Sequence, residues 1–380
     1  MPFAVYYWTV AIIALAGMAD AIYLAVAHYR VYTDMGYQSF CAISKSINCD
    51  TVSQSPYSIF VDVPVPVWGI VGYALFLSLL PAARRGASNL ARVWPTLFIL
   101  ALCFSAYSII LAIISIRYIH SYCIMCLASY AVNFMLLFYA WLIHKRFGKT
   151  SITAGIKSDF QWVVQKQKKG AGILLCVSIG IILSLVLFVP HYWEITFAHQ
   201  EGNLAEGITE DGHPWIGAEK ATLVIVEFTD YRCFQCKKMH FFLRKFIASH
   251  PGKIKLVHRN FPMDHAYNPL VKEPYHVGSG KMALFSLFAV QNNKFWEFND
   301  MLFNIDAGSG HFNLRGMAQK AGFDVHELAG SVNDLTLIHK LRMDIHAGLK
   351  LGITGTPGYL INGEVHVGHV PPEILDLVRN

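Results

Sequence analysis

The sequence predicts a two-part chain: an all-α bundle of membrane-spanning helices, four core helices plus a fifth, then an α/β domain with a helical insertion. Three observations predict it. Hydrophobic residues make up 54% of the 380 positions and charged residues only 15%, against about 25% charged in ordinary soluble domains. Part of the chain therefore needs an apolar solvent. Five apolar runs reach the ~20 residues that cross a bilayer. Beyond residue 217 the pattern changes: a short β-branched run leads at once into a C-x-x-C and a helical stretch.

The five runs lie at roughly 5–28, 65–82, 93–117, 122–143 and 171–190. No basic residue precedes the first, and it is longer than a signal-peptide core, so it reads as a retained helix. The second is the shortest, and Pro64 and Pro66 before it predict a broken or interfacial approach. Arg84, Arg85 and Arg92 fall between the second and third runs. Lys145, Arg146, Lys149, Lys157, Lys166, Lys168 and Lys169 fall between the fourth and fifth. The bias of basic residues toward the cytoplasm puts both loops inside, with a cytoplasmic N-terminus. The 29–62 loop, the 117–122 corner and everything after the fifth helix are then outside. The net charge of +6 sits at the ends of apolar runs, which suits membrane orientation rather than nucleic-acid binding. The expected domains are 1–148 (transmembrane), 149–217 (cytoplasmic loop, fifth helix and linker) and 218–380 (outer soluble domain).

In the soluble part, Ala221–Phe228 reads as a buried strand, Lys237–Ser249 as a helix and Lys253–His258 as a second strand. Residues 269–351 are mostly helical in pattern. Asn362-Gly363 between two short apolar runs is a two-residue hairpin signal. A short helix closes the chain after Pro371.

The eight cysteines are too sparse for a disulfide-stapled scaffold. Cys41, Cys49, Cys123, Cys126, Cys233 and Cys236 share the outer, oxidising side in this topology. Cys103 and Cys176 fall inside apolar helices and read as packing residues. A C-x-x-C serves either metal binding or dithiol chemistry. Zinc takes four ligands, and the C-terminal region has no second C-x-x-C, so dithiol chemistry is preferred and no metal or flavin is expected. Cys233, just after a strand, falls at a helix N-terminus, where unpaired amides favour a thiolate. Cys236, one turn on, would resolve the mixed disulfide. Cys123 and Cys126 begin the fourth helix with both sulfurs on one face, within reach of a lipid-soluble oxidant. Cys41 and Cys49 lie on a loop free to move between a soluble donor and that edge. Asp20, deep in the first helix, is a functional candidate by default, or else is protonated or hydrogen-bonded across a helix pair. Trp68 reads as interfacial packing.

Two resemblances sharpen this picture. Two outer cysteines eight apart, CDTVSQS at 49–55, VPVPVWGIVGY at 63–73 and CIMCLASY at 123–130 resemble the vitamin K epoxide reductase family over about residues 5–147. The resemblance implies that Cys41 accepts electrons from outside, that Cys49 passes them to Cys123, and that Cys126 faces a quinone. It also implies that Ser55 and Tyr130 lie near the quinone ring, although Ser55 reads equally as a cap and Tyr130 as an interfacial anchor. VEFTDYRCFQCKKMH, HRNFP at 258–262 and ITGTP at 353–357 resemble DsbA-like thioredoxin-fold oxidoreductases over about 215–380. This implies that Glu227 is a buried acid assisting proton movement at Cys236, and that Pro357 is the cis-proline facing the C-x-x-C. Where the strongest oxidants of that family carry Pro-His between the cysteines, this chain has Phe234-Gln235, so the thiolate lacks that histidine.

Together the resemblances imply an enzyme of the plasma (inner) membrane, with its C-terminal domain periplasmic or extracytoplasmic, that makes disulfides in reduced envelope or secreted proteins. The expected acceptor is a membrane quinone such as ubiquinone or menaquinone. The lipid bilayer is the other partner, and nucleic acid is not one. Three alternatives stay open: a thiol reductase or isomerase, an enzyme reducing vitamin K epoxide itself, and a membrane-anchored metal-binding module.

Overall fold

A computed structural model describes residues 2–43, 46–84, 93–148, 151–157, 190–193, 204–305 and 313–379, with single positions at 180, 184 and 187. The chain divides into two compact units, Met1–Glu194 and Ile195–Asn380.

The first unit is helical. Helices α1 (Phe3–Thr33), α3 (Val65–Arg84), α4 (Trp94–Ile114) and α5 (Ile124–Phe147) form the bundle. The short α2 (Cys49–Ser53) sits in the loop between α1 and α3. Four stretches, Phe3–Thr33, Val65–Ala83, Trp94–Ile119 and Ile124–Phe147, are long and apolar enough to cross a bilayer. Most of the expected fifth helix, with Cys176, lies outside the described residues. The helices are apolar on all sides, as lipid-facing helices are. Trp94, Leu97, Phe76 and Leu136 are fully buried, while Ile12, Ile113 and Phe138 point outward at 65%, 52% and 53% exposure. Gly17 lets α1 and α3 approach closely, because a Cβ there would lie 2.5 Å from the Tyr73 ring. The expected break before the second helix is a tiny hairpin, β1 (Ile59–Phe60) and β2 (Val63–Pro64), turning through Val61 and Asp62 at positive φ.

The second unit is built on a six-stranded sheet, in order β3 (Ala205–Ile208), β4 (Pro214–Gly217), β6 (Ile254–Asn260), β5 (Leu223–Thr229), β7 (Gly358–Ile361) and β8 (Glu364–Val367). β5 and β6 are parallel, in register from Leu223↔Ile254 to Thr229↔Asn260, and β7 joins β5 antiparallel. Asn362 and Gly363, both at positive φ, make the β7–β8 turn as the sequence predicts. Helix α6 (Phe234–Ser249) follows β5 directly. The insertion between β6 and β7 contains α7 (Ser279–Gln291), α8 (Phe295–Phe303), α9 (Leu314–Ala321), α10 (Val325–Gly330) and α11 (Leu335–Lys350). Its core joins Phe228 and Phe261 to Phe298, Leu302 and Phe303. α12 (Pro372–Arg379) ends the chain. One difference stands out: the segment read as a linker holds β3 and β4. Their four-residue strands carry too little alternation to show in sequence. Gly207 is glycine because the Trp215 ring lies across it, 2.7 Å from where a Cβ would sit.

Candidate functional site

The chemistry-bearing residues form one constellation in each unit. In the helical unit, Cys41 and Cys49 are joined by a disulfide, with Cα atoms 5.6 Å apart. Cys49 is the first residue of α2, and Asn48 caps that helix by accepting from the amides of Asp50 (2.9 Å) and Thr51 (3.1 Å). The Cys49 end of the loop, expected to be free to move, is held. Asn48 N donates to Tyr122 O (2.9 Å), and Tyr122 N donates to Ser46 O (2.8 Å). That β-bridge places Cys49 beside Cys123, and Cys41, Cys49, Cys123 and Cys126 pack in one cluster. Replacing Asn48 with alanine is expected to cost ~1 kcal/mol of local stability, read as faster amide exchange at Asp50 and Thr51.

Cys123 departs from expectation in one respect. It precedes α5 in extended conformation as its N-cap, and its sulfur accepts from the Cys126 amide at 3.1 Å. The thiol thus takes the place a serine or aspartate oxygen usually fills.

Both cysteines border a cavity of about 460 Å³ lined by the helical unit, within the 300–1,000 Å³ typical of small-molecule sites. Ser55 and Tyr130 line it too. Ser55 heads a short 3₁₀ turn without a side-chain cap bond, its hydroxyl donating to Val52 O (2.7 Å). Trp68 and Cys103, both read as packing residues, also border the cavity. Asp20 is hydrogen-bonded across the α1–α5 pair by the Ser129 hydroxyl, and Ser129 lines the cavity. Sequence reasoning missed Asn133, which accepts from Tyr73 OH (2.8 Å) and donates to Ser108 Oγ (2.9 Å) at the cavity wall. The available signal was a lone amide in an apolar helix. Apolar walls with a few hydroxyl and amide groups suit a flat ring bearing carbonyl oxygens.

In the sheet unit, β5 runs into Cys233, the N-cap of α6. Its sulfur accepts from the Cys236 amide (3.4 Å) and donates to Thr356 O (3.4 Å), next to the cis Thr356–Pro357 bond. Cys233 keeps 9% exposure and Cys236 none. The Cys233 thiol is brought down to about 7, first by the hydrogen bond with Cys236, against the opposing effect of burial, and with help from His276. Burial pushes the Cys236 thiol up. One sulfur is therefore poised to attack and leave, and the other to hold its proton. Glu227 is fully buried on β5, paired at 2.8 Å with His258 Nδ1 from the adjacent register position of β6. His258 lies in the HRNFP motif, but that it meets Glu227 follows only from the strand register. Asp230 lies within the quoted VEFTDYRCFQCKKMH segment but was not singled out there, and His276 lies in none of the quoted motifs. Among the described residues, no group of three or more His, Cys, Asp or Glu side chains could hold a metal ion.

Comparisons with known proteins agree with this division. Residues 8–141 match the vitamin K epoxide reductase family and residues 209–377 match a thioredoxin family. Among curated proteins, the chain is 21% identical over 154 residues to the Na(+)/H(+) antiporter NhaA 3 of Salinispora tropica, covering 40% of this chain and 22% of that protein. It is 23% identical over 147 residues to NhaA of Herminiimonas arsenicoxydans, covering 39% and 22%. The chain thus spans 22% of the length of each of these relatives. Similar solved structures include a thioredoxin-like oxidoreductase from Silicibacter pomeroyi (24% identity, TM-score 0.37, 45% of this chain and 94% of that one). Another is oxidised BdbD from Bacillus subtilis (22%, TM-score 0.37, 47% and 97%). A segment that matches the vitamin K epoxide reductase family and a segment that matches a thioredoxin family therefore follow one another in this chain.

Proposed function

We propose that this chain is a membrane thiol oxidoreductase that makes disulfides in envelope or secreted proteins and passes the electrons to a membrane quinone. The observation that carries the reading is the packing of Cys41, Cys49, Cys123 and Cys126 in one cluster, with Cys123 and Cys126 bordering an apolar cavity. A client thiolate attacks Cys233 and displaces Cys236. A second client thiol completes the client disulfide and leaves two electrons in the Cys233–Cys236 dithiol. That dithiol reduces Cys41–Cys49. Cys49 then attacks Cys123 and displaces Cys126, and Cys41 resolves the Cys49–Cys123 bond. Each step exchanges one sulfur–sulfur bond for another and moves two electrons. A quinone, when bound among Cys126, Ser55 and Tyr130, supplies a two-electron, two-proton acceptor. Carrying both redox centres in one chain raises their effective concentration to the order of millimolar. The basic loops put the N-terminus in the cytoplasm and the thioredoxin-like domain outside. Glu227 assists proton movement at Cys236, and Pro357 meets the client backbone beside Cys233.

The test is anaerobic reoxidation of the fully reduced, purified protein by a short-chain quinone. Alkylation and mass spectrometry count the free thiols at Cys233 and Cys236. The wild type is expected to lose them while Cys126→Ala retains them. Thiols that stay reduced in both proteins would bring the reductase reading forward.

A further inference from the structure

The Phe-Gln between Cys233 and Cys236 leaves the active-site thiolate without a neighbouring histidine in sequence. The structure supplies one from elsewhere. His276 lies at the start of the segment leading into α7, forty residues beyond the C-x-x-C, and its Nδ1 pairs with Asp230 Oδ2 at 3.2 Å. Asp230 is a hub of the redox site. Its carbonyl accepts from Cys233 N (3.1 Å), its amide donates to Cys236 Sγ (3.5 Å), and its carboxylate is fully buried.

The segment carrying His276 is fixed from several sides. Ser279 Oγ donates to Asp230 Oδ2 (2.8 Å), and Gly278 N donates to Asp264 Oδ2 (2.8 Å). Ser279 N donates to His276 O (2.9 Å). The Tyr275 ring stacks on the imidazole at 4.0 Å. His276 itself has a φ of 41°, an uncommon conformation for a side-chain-bearing residue and one that clusters at functional sites.

We infer that His276, ion-paired with Asp230, is the cation that stabilises the Cys233 thiolate, delivered by the helical insertion rather than by the dipeptide between the cysteines. The inference rests on the reading of Cys233 as the attacking sulfur. Left alone, the buried Asp230 carboxylate would oppose a thiolate beside it. The imidazolium cancels that charge and adds attraction of its own. When the second client thiolate breaks the mixed disulfide, the electron pair of the broken bond stays on Cys233. The resulting anion lies within the electrostatic reach of His276, while Cys236, displaced in the first exchange, takes a proton. Burial alone would push His276 down, but the Asp230 carboxylate outweighs it and holds the ring above its ordinary range. The other titratable groups acting on these two residues are Cys236 at Cys233 and Arg232 at His276, while Tyr275 and Tyr359 feel the charges of both cysteines. His276 is a positioning residue, acting through charge on Cys233.

The experiment uses the reduced full-length protein in detergent and follows iodoacetamide alkylation of the Cys233 peptide against pH. The wild-type midpoint is expected at about 7. His276→Gln is expected to raise it by about one unit, and His276→Lys to return it toward the wild-type value. A Gln variant that melts like wild type with an unmoved midpoint overturns the inference. A second measurement needs no variant. Charge coupling is reciprocal, so carbethoxylation of His276 in wild-type protein is expected to show a higher midpoint in the dithiol than in the disulfide form. Identical midpoints in the two forms overturn the inference as well. Neither readout needs a client or a quinone. Failed quinone reoxidation with both shifts intact would sink the functional reading and leave this one standing.

Discussion

Cys41→Ala is expected to accumulate a disulfide between Cys49 and Cys123 and to lower quinone-dependent turnover by ~10³-fold or more, as loss of a nucleophile typically does. In the proposed order, Cys49 attacks Cys123 and displaces Cys126, and Cys41 then frees Cys123. Without Cys41 the only thiol left in the cluster to attack the bridge is Cys126, and its attack on Cys123 reverses the exchange instead of completing it. The geometry favours the bridge, because Asn48 and Tyr122, each adjacent in sequence to one of the two cysteines, are joined by a backbone hydrogen bond of 2.9 Å. Non-reducing peptide mapping after oxidation reads the product directly. A Cys41–Cys123 or Cys41–Cys126 bridge in the companion Cys49→Ala protein, at similar yield, would mean that the loop pair has no preferred order and would remove Cys49 from its assigned role.

Asp230→Ala is expected to destabilise the sheet unit by ~3–5 kcal/mol, the usual cost of removing one partner from a buried charge pair. The carboxylate accepts from Arg232 N (2.6 Å), Met263 N (2.5 Å) and Ser279 Oγ (2.8 Å), and it balances His276. Alanine strands all four. Burial pushes the Asp230 carboxyl up, but His276 and the two backbone amides outweigh it and hold it below its usual range. A folded-state pKa below the unfolded value of about 3.9 gives stability that is fully present above that value. The contribution is lost as pH falls through the folded pKa. The acid limb of a urea-midpoint profile for the sheet unit should therefore flatten in Asp230→Asn. A profile parallel to wild type down to pH 3 would show that the carboxylate contributes nothing as an anion.

Much of this was legible in the sequence for a physical reason. Long apolar runs admit one solution in a bilayer, and C-x-x-C after a β-branched run marks a helix start. The helices and the paired cysteines could therefore be read in advance, Ser55 and Tyr130 came only from the family resemblance, and Ser55, Cys123, Cys126 and Tyr130 border one cavity. What stayed hidden depends on distant contacts. Asn133 matters because Tyr73 and Ser108 meet it, His258 because strand register sets it against Glu227, and His276 because its segment folds back onto Asp230. None of these pairings leaves a trace in local composition. The β3–β4 hairpin was missed because its strands are short and carry glycine and proline.

At both C-x-x-C sites the first sulfur is also a helix cap, accepting from an amide three residues on at 3.1 Å for Cys123 and 3.4 Å for Cys233. This dual duty fixes the numbering of each motif against its helix. A single residue inserted between the two cysteines would unseat the cap and misdirect the thiol together, so these motifs tolerate exchange of residues but not changes in length. It also separates two kinds of substitution that are commonly treated as equivalent. Serine at Cys123 or Cys233 silences the chemistry while still closing the first turn, whereas alanine silences it and frays the helix by ~1 kcal/mol.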